Sequence, residues 1–234
     1  MEASSFITGV MAALAIVVAS LLVLAVWFSN RSAVTTLLTA ATITALMTAQ
    51  SVLASTGILR EWNRRPPPFL VLVAGTVALT LAFASSRLGG RIAQSLSWAV
   101  LIGSQIFRFP LELTMHRAAI EGVMPPQMSY SGYNFDILTG IGALIVSCLF
   151  AAGKGSRLAA ALWNTMGFCL LVNVVAIAVA SLPLFAAFGE NRLNVWVTYP
   201  PFVWLPGVLV PFALLGHVLV WRKLRFTKRT SATS

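Results

Sequence analysis

Seven stretches of this chain, 6–28, 33–55, 69–85, 92–115, 135–152, 158–181 and 202–221, are built almost wholly of apolar residues. Each comes close to the roughly 20 apolar residues needed to cross a hydrocarbon core of about 30 Å. No other feature restricts the fold so sharply. Without water, every backbone N–H and C=O must find its partner inside the segment, and single apolar runs of this length can do that only as helices. The expected fold is therefore all-α, a polytopic membrane helix bundle of about seven transmembrane helices. The connections are short, so one transmembrane domain covers residues 1–234, with a basic cytoplasmic tail at 222–234. The composition agrees: 58% hydrophobic and only 9% charged, against about 25% charged in soluble domains.

A formal charge of +10 would suggest nucleic acid in a soluble protein. Here the basic residues cluster in short loops and in the tail, which makes them a topology signal. With the N-terminus outside, Arg31, Arg87, Arg91, Lys154, Arg157, Arg222, Lys223, Arg225, Lys228 and Arg229 fall on the cytoplasmic side, and Arg60, Arg64, Arg65, Arg117 and Arg192 on the other. The bias predicts an N-terminus outside and a C-terminus in the cytoplasm. The run 6–28 has no basic segment before it and exceeds the 7 to 15 residues of a signal-peptide core, so it reads as the first spanning helix. The expected partners are the lipid bilayer, a small solute, and a membrane-protein partner or a second copy of the chain, not nucleic acid.

Inside this apolar chain lies one polar stripe. Gln105, Arg108, Glu112 and His116 are spaced by three, four and four, which places them on one helical face. Asn134 and Asp136 follow at the start of the next apolar run. Ionisable groups inside a membrane are costly to bury and by default mark a functional or ion-paired site. Arg108 is a candidate for an anionic group, with Glu112, Asp136 and His116 for proton coupling or ion pairing. The rival expectation is a ladder in which Arg108 and Glu112, and Glu112 and His116, satisfy each other along the helix.

Three prolines should disturb the helices. Pro110 has no amide hydrogen to donate, so it frees the carbonyl of Ile106 and predicts a kink beside Arg108. Pro206 and Pro211 likewise free the carbonyls of Phe202 and Gly207, so the outer half of the last helix is expected to be irregular. Asn164 and Asn173, nine residues apart, face opposite sides of one helix and each should bond a different neighbour. The threonines between 35 and 48 should bond back to their own helix.

Several chemistries are disfavoured. Cys148 and Cys169 lie in separate apolar runs at different depths, a poor basis for a disulfide or a metal site. His116 and His217 fall near opposite membrane faces, too far apart to share a haem iron; His217 reads as an interfacial or a helix–helix hydrogen-bonding residue. A retinal Schiff base needs a lysine within the last helix, and Lys154, Lys223 and Lys228 all lie at the cytoplasmic edge. There is no HExxH pattern or histidine-rich cluster. No cofactor and no metal are expected.

The segments Phe107-Arg108-Phe-Pro110-Leu-Glu112, Pro126-Gln127-Met128, Gly132-Tyr-Asn134-Phe-Asp136-Ile-Leu138, Trp163-Asn164 and Phe202-Val-Trp-Leu-Pro206, together with His217, resemble an uncharacterised family of small bacterial integral membrane proteins. The resemblance covers roughly residues 95–224 and implies a multi-pass protein of the bacterial cytoplasmic membrane. Three functional expectations stand. The first is binding or transport of a small anionic solute in an outward-opening polar pocket between helices four, five and seven. The second is an intramembrane enzyme acting on a lipid-linked substrate, and the third a structural or assembly subunit of a membrane complex.

Overall fold

The computed structural model describes residues 3–230, and these form helices joined by turns, with no strand among them. Helix α1 (Ser5–Asn30) starts where the Ser4 hydroxyl accepts the amide of Ile7, and α2 (Ala33–Thr56) where Ser32 accepts that of Thr35. Both are serine N-caps, which satisfy amides that have no partner within the helix. Helix α3 (Pro68–Ser85) opens on a proline, which loses nothing at that position. Helices α1, α2, α3, α8 (Arg157–Ala180) and the segment Leu205–Phe226 are long and apolar enough to cross a membrane.

The fourth predicted span, 92–115, is not one helix. It divides into α4 (Arg87–Ser95), α5 (Trp98–Gly103) and α6 (Arg108–Ile120). Serines set the breaks. Leu96 is extended, the hydroxyl of Ser97 caps α5 by accepting the Val100 amide, and that of Ser104 donates to the Leu101 carbonyl as α5 ends. A tight turn then follows, in which the Ile106 carbonyl, out of reach of Pro110, accepts from the amide of Phe109 at 3.0 Å. Pro110 thus sits in the first turn of a new helix rather than kinking an old one.

The fifth span is α7 (Ile137–Ala151), shorter than expected at 15 residues. The last one starts with a π-helical turn at Leu205–Leu209, which holds Pro206, and continues as α9 (Val210–Thr230). The irregular outer half was expected; the length was not. No glycine or proline interrupts the chain after Gly216, so α9 carries the first part of the predicted basic tail as helix. There Arg222 donates to the carbonyls of Ala84 and Ser86, and Lys223 to those of Ala93 and Leu96. Lys228 and Arg229 belong to that tail expectation, and their side chains lie outside the described residues.

These contacts gather the ends of α1, α3 and α9 with the starts of α4 and α8: Arg91 also reaches Asn30, and Arg157 the carbonyl of Leu224. The opposite end joins the start of α1 to the end of α6 through the Ser4 amide on Glu121, and the loop after α6 to that after α8 through Gln127 on Ser181 and Arg192. Partial desolvation pushes the Glu121 carboxyl up, but hydrogen bonds from Arg117 and Ser4 outweigh it and hold the group below its ordinary range. Helices α5 and α6 together therefore run from one end of the bundle to the other.

Helix α9 lies centrally, packed on α3, α4, α5 and α8, whereas α2 buries only Gln50 and Ala54. The closest approach that positions the polar residues is that of α6 to α7. A Cβ on Gly140 would come within 2.9 Å of Phe109 Cα, so only glycine allows the two backbones this close. Replacing Gly140 with alanine is expected to force α6 and α7 apart and destabilise the fold by about 1–3 kcal/mol. Thermal unfolding in detergent, compared with the same change at the uncrowded Gly9, measures it.

Candidate functional site

The break before α6 places Arg108 in the first turn of that helix, 12 residues short of Ile120 and so about 18 Å from its C-terminal end. This is deep in the bundle, and Arg108 is 1% exposed. Its partner arrives on α7: the close approach at Gly140 brings Asp136, the residue preceding Ile137, against the start of α6. Arg108 Nε donates to Asp136 Oδ2 at 2.7 Å, and Nη2 donates to Oδ1. This fork-on-fork pairing is the strongest geometry available to an arginine. The hydroxyl of Thr139 also donates to Asp136 Oδ1 at 3.0 Å, and the Asp136 amide donates to Asn134 Oδ1 at 3.0 Å. The negative charge lies at the N-terminus of α7, where the helix dipole favours it.

The third nitrogen of the guanidinium, Nη1, lies 2.7 Å from His217 Nε2. Arginine can only donate, so Nε2 accepts and the imidazole carries its proton on Nδ1. That proton is directed to Asn164 Oδ1 at 2.9 Å, while Asn164 Nδ2 donates to the His217 carbonyl at 3.2 Å. His217 is thus a helix–helix hydrogen-bonding residue, as expected, but it belongs to the arginine site and is completely buried. Its place five residues before Arg222 on α9 is unchanged; what is corrected is the expected depth of Arg108, which starts a helix of its own and so meets His217.

Glu112 does not pair with Arg108 or with His116. It is 2% exposed and accepts from Asn134 Nδ2 at 2.8 Å; the same amide donates to the Met128 carbonyl at 2.9 Å. His116 turns outward, with Nδ1 2.8 Å from the Ser129 hydroxyl and its ring stacked on Tyr130. The self-satisfying ladder along one helix is therefore replaced by bonds across helices. Arg108 and Glu112 are each taken by the segment 134–136, which lies closer to both than they lie to each other's polar atoms. Gln105 is fully buried with its amide over the bare face of Gly216, and its Oε1 has no partner. The structure thus brings Arg108, Glu112, Asn134 and Asp136 into one network. It adds His217, Asn164 and Thr139, and leaves His116 at the rim.

A second feature lies on the other side of α9. A cavity of about 680 Å³ is walled by α1, α2, α3 and the start of α9. None of the polar network lines it. Its wall includes Thr39, Thr42, Thr76 and Thr80, whose hydroxyls donate to carbonyls of their own helices at 2.8 to 2.9 Å. Thr39 and Thr42 bond back as expected for this helix. Its one amide side chain is Gln50, 4% exposed, whose Nε2 donates to the Gly207 carbonyl at 3.2 Å. That carbonyl is the one Pro211 was expected to free. Among the described residues no three His, Cys, Asp or Glu side chains form a metal-binding group.

No family model matches the chain, and no curated protein or solved structure is similar to it.

Removing one member of the buried pair should be far costlier than removing both. Asp136→Ala strands a buried guanidinium and is expected to cost about 3–5 kcal/mol, whereas Arg108→Met with Asp136→Leu recovers most of that loss. A double-mutant cycle on unfolding in detergent checks both outcomes.

Proposed function

We propose that this is a multi-pass membrane protein that binds the hydrocarbon chain of a lipid in the cavity between α1, α2, α3 and α9, and that the network around Arg108 serves as the brace of that binding fold. The observation that carries the reading is the cavity. Its volume of about 680 Å³ lies within the 300–1,000 Å³ common for ligand sites. Four of its five threonines donate their hydroxyls to the backbone and the fifth, Thr35, to Ser32, and it is walled by helices long enough to cross a bilayer. A solvent-filled cleft for a small polar solute would be expected to present free donors and acceptors; this wall presents methyl and methylene groups. For the anionic solute expected at Arg108, the site offers a guanidinium already shared by Asp136 and His217, which makes the cavity the better supported binding site.

In this reading the chain crosses the membrane seven times, with α5 and α6 acting as one broken crossing. The N-terminus is outside and the C-terminus cytoplasmic. The surplus of Lys and Arg on the proposed inner side supports the orientation, and the contacts of Arg91, Arg157, Arg222 and Lys223, four of those residues, gather the ends of α1, α3 and α9 with α4 and the start of α8 at one end of the bundle. The bacterial cytoplasmic membrane follows from the resemblance carried by residues 95–224. The lipid enters sideways past α2, the helix with the least buried surface.

Native mass spectrometry of the protein released from detergent tests the reading. The wild type is expected to retain a lipid, and Thr39→Trp with Thr80→Trp, which fill the cavity, to weaken its retention roughly tenfold or more, about 1.4 kcal/mol. A wild type free of lipid, equal retention by the variant, or a dimer that the same substitutions abolish would each overturn it. The dimer would instead assign the cavity to a second copy of the chain.

A further inference from the structure

We infer that the lipid of this cavity is an anionic phospholipid, with an acyl chain between α1, α2 and α3 and its phosphate on Arg31, Arg87 and Arg91. The inference rests on the lipid-binding reading above and names its ligand class. The cavity reaches the end of the bundle where α1 and α3 finish and α2 and α4 begin. Thr35 in the first turn of α2, Phe83 in the last turn of α3 and Leu88 in the first turn of α4 all line it. Arg87 adjoins Leu88, and Arg91 follows Leu88 by three residues, which makes the two neighbours on the surface of α4. Both arginines are exposed, whereas Gly89, Gly90, Ile92 and Ala93 of the same helix are buried. Arg91 Nη1 donates to Asn30 Oδ1 at 2.6 Å, which draws the end of α1, and with it the exposed Arg31, to the same corner.

The protein does not answer the charge at this corner. Arg87 and Arg91, four residues apart on one helix, repel each other. Among the described residues no carboxylate lies at this end. Glu61, Glu121 and Glu190 are at the opposite end, where Arg64 and Arg117 pair with the first two, and Glu112 and Asp136 belong to the buried network. The countercharge therefore comes from outside the chain, and the fork of an arginine matches the oxygens of a phosphate. The connections here are short, two residues between α1 and α2 and one between α3 and α4. They hold the guanidiniums at the depth of lipid headgroups instead of extending them toward a soluble partner. The hydrocarbon part fits as well. From Thr35 to Gln50, both on the wall, the axis of α2 extends about 22 Å at 1.5 Å per residue, longer than one leaflet, which is half of the roughly 30 Å core. A phospholipid of net negative charge matches both features, whereas a zwitterionic one brings its own ammonium to a cluster of cations.

The test offers the full chain in detergent three lipids with the same acyl chains, phosphatidylglycerol, phosphatidylcholine and diacylglycerol, and reads their retention by native mass spectrometry. The wild type is expected to prefer phosphatidylglycerol to phosphatidylcholine roughly tenfold or more, as two or three arginines near one anion should give. Arg87→Gln with Arg91→Gln should remove that preference and leave diacylglycerol bound. Lys154→Gln with Arg225→Gln, which takes the same charge from exposed residues outside the corner, should keep it. If the first pair loses diacylglycerol too, Arg31→Gln is read in its place and should lower the preference about threefold or more. Equal retention of the two phospholipids by the wild type, with or without inorganic phosphate bound in their place, overturns the anionic headgroup and leaves the lipid-chain reading standing. Retention of none of the three lipids overturns the lipid-chain reading itself. A preference that survives loss of the corner arginines, or that falls equally in the second pair, overturns the corner as the phosphate site. Its survival in Thr39→Trp with Thr80→Trp overturns the assignment of headgroup and cavity to one ligand.

Discussion

A guanidinium held 1% exposed among apolar helices, as Arg108 is, must have every one of its donors directed at something, and the search for those partners fixes much of this bundle. Asp136 takes two of them, which ties the start of α7 to the start of α6. His217 takes another and passes the constraint to α9, and Asn164 carries it on to α8. Four helices are thereby held in register by one charge. A buried ion pair adds little net stability over an apolar one of the same shape. What it contributes here is a single permitted arrangement, since any slip of one helix leaves a charge or a donor unmet.

The same accounting explains the broken backbone. Pro110 would strand a carbonyl in the middle of a continuous span, and the chain avoids that by ending α5 at Gly103 and beginning α6 at Arg108. Pro211 strands the carbonyl of Gly207, and Gln50 reaches it from α2. Trp204, on the same irregular stretch, donates its indole hydrogen to the Met47 carbonyl at 3.1 Å. Pro110 is thus accommodated by a local turn and Pro211 by a contact between helices, two ways in which irregular backbone is tolerated at membrane depth.

The membrane class and the five helices long and apolar enough to cross a bilayer could be read from apolar runs because lipid leaves so few backbone solutions. The fourth span could not. Its hydropathy is continuous, and the break is set by Ser97 and Ser104 acting as caps, residues that are equally at home inside a membrane helix. The composition of the polar site was also legible, since Arg108, Glu112, Asn134 and Asp136 stand out in an apolar chain. Their pairing was not. Spacing along one helix favours Arg108 with Glu112, whereas the true partners depend on how close α7 comes to α6. The available clue was Gly140, whose missing side chain admits Phe109. His217 escaped because the depth of Arg108 was counted along an unbroken helix, and the turn between α5 and α6 leaves Arg108 where it meets His217.

The bundle is unevenly secured, and this bears on what it can bind. Around α6, α7, α8 and α9 the bonds of Arg108, Asp136, His217 and Asn164 tie each helix to the next. On the far side of α9, α2 and α3 each bury only two residues, Gln50 and Ala54 in one, Phe69 and Ala84 in the other. Lipid and leucine are equally apolar, so exposing these helices to the bilayer costs little, and no hydrophobic force draws them inward. A gap between such helices can persist where a soluble protein would collapse it. The cavity lies at this boundary: the irregular turn at Leu205–Leu209 contributes to the wall on the side that the Arg108 network ties to α9, and α2, with little of its surface buried, forms the wall opposite.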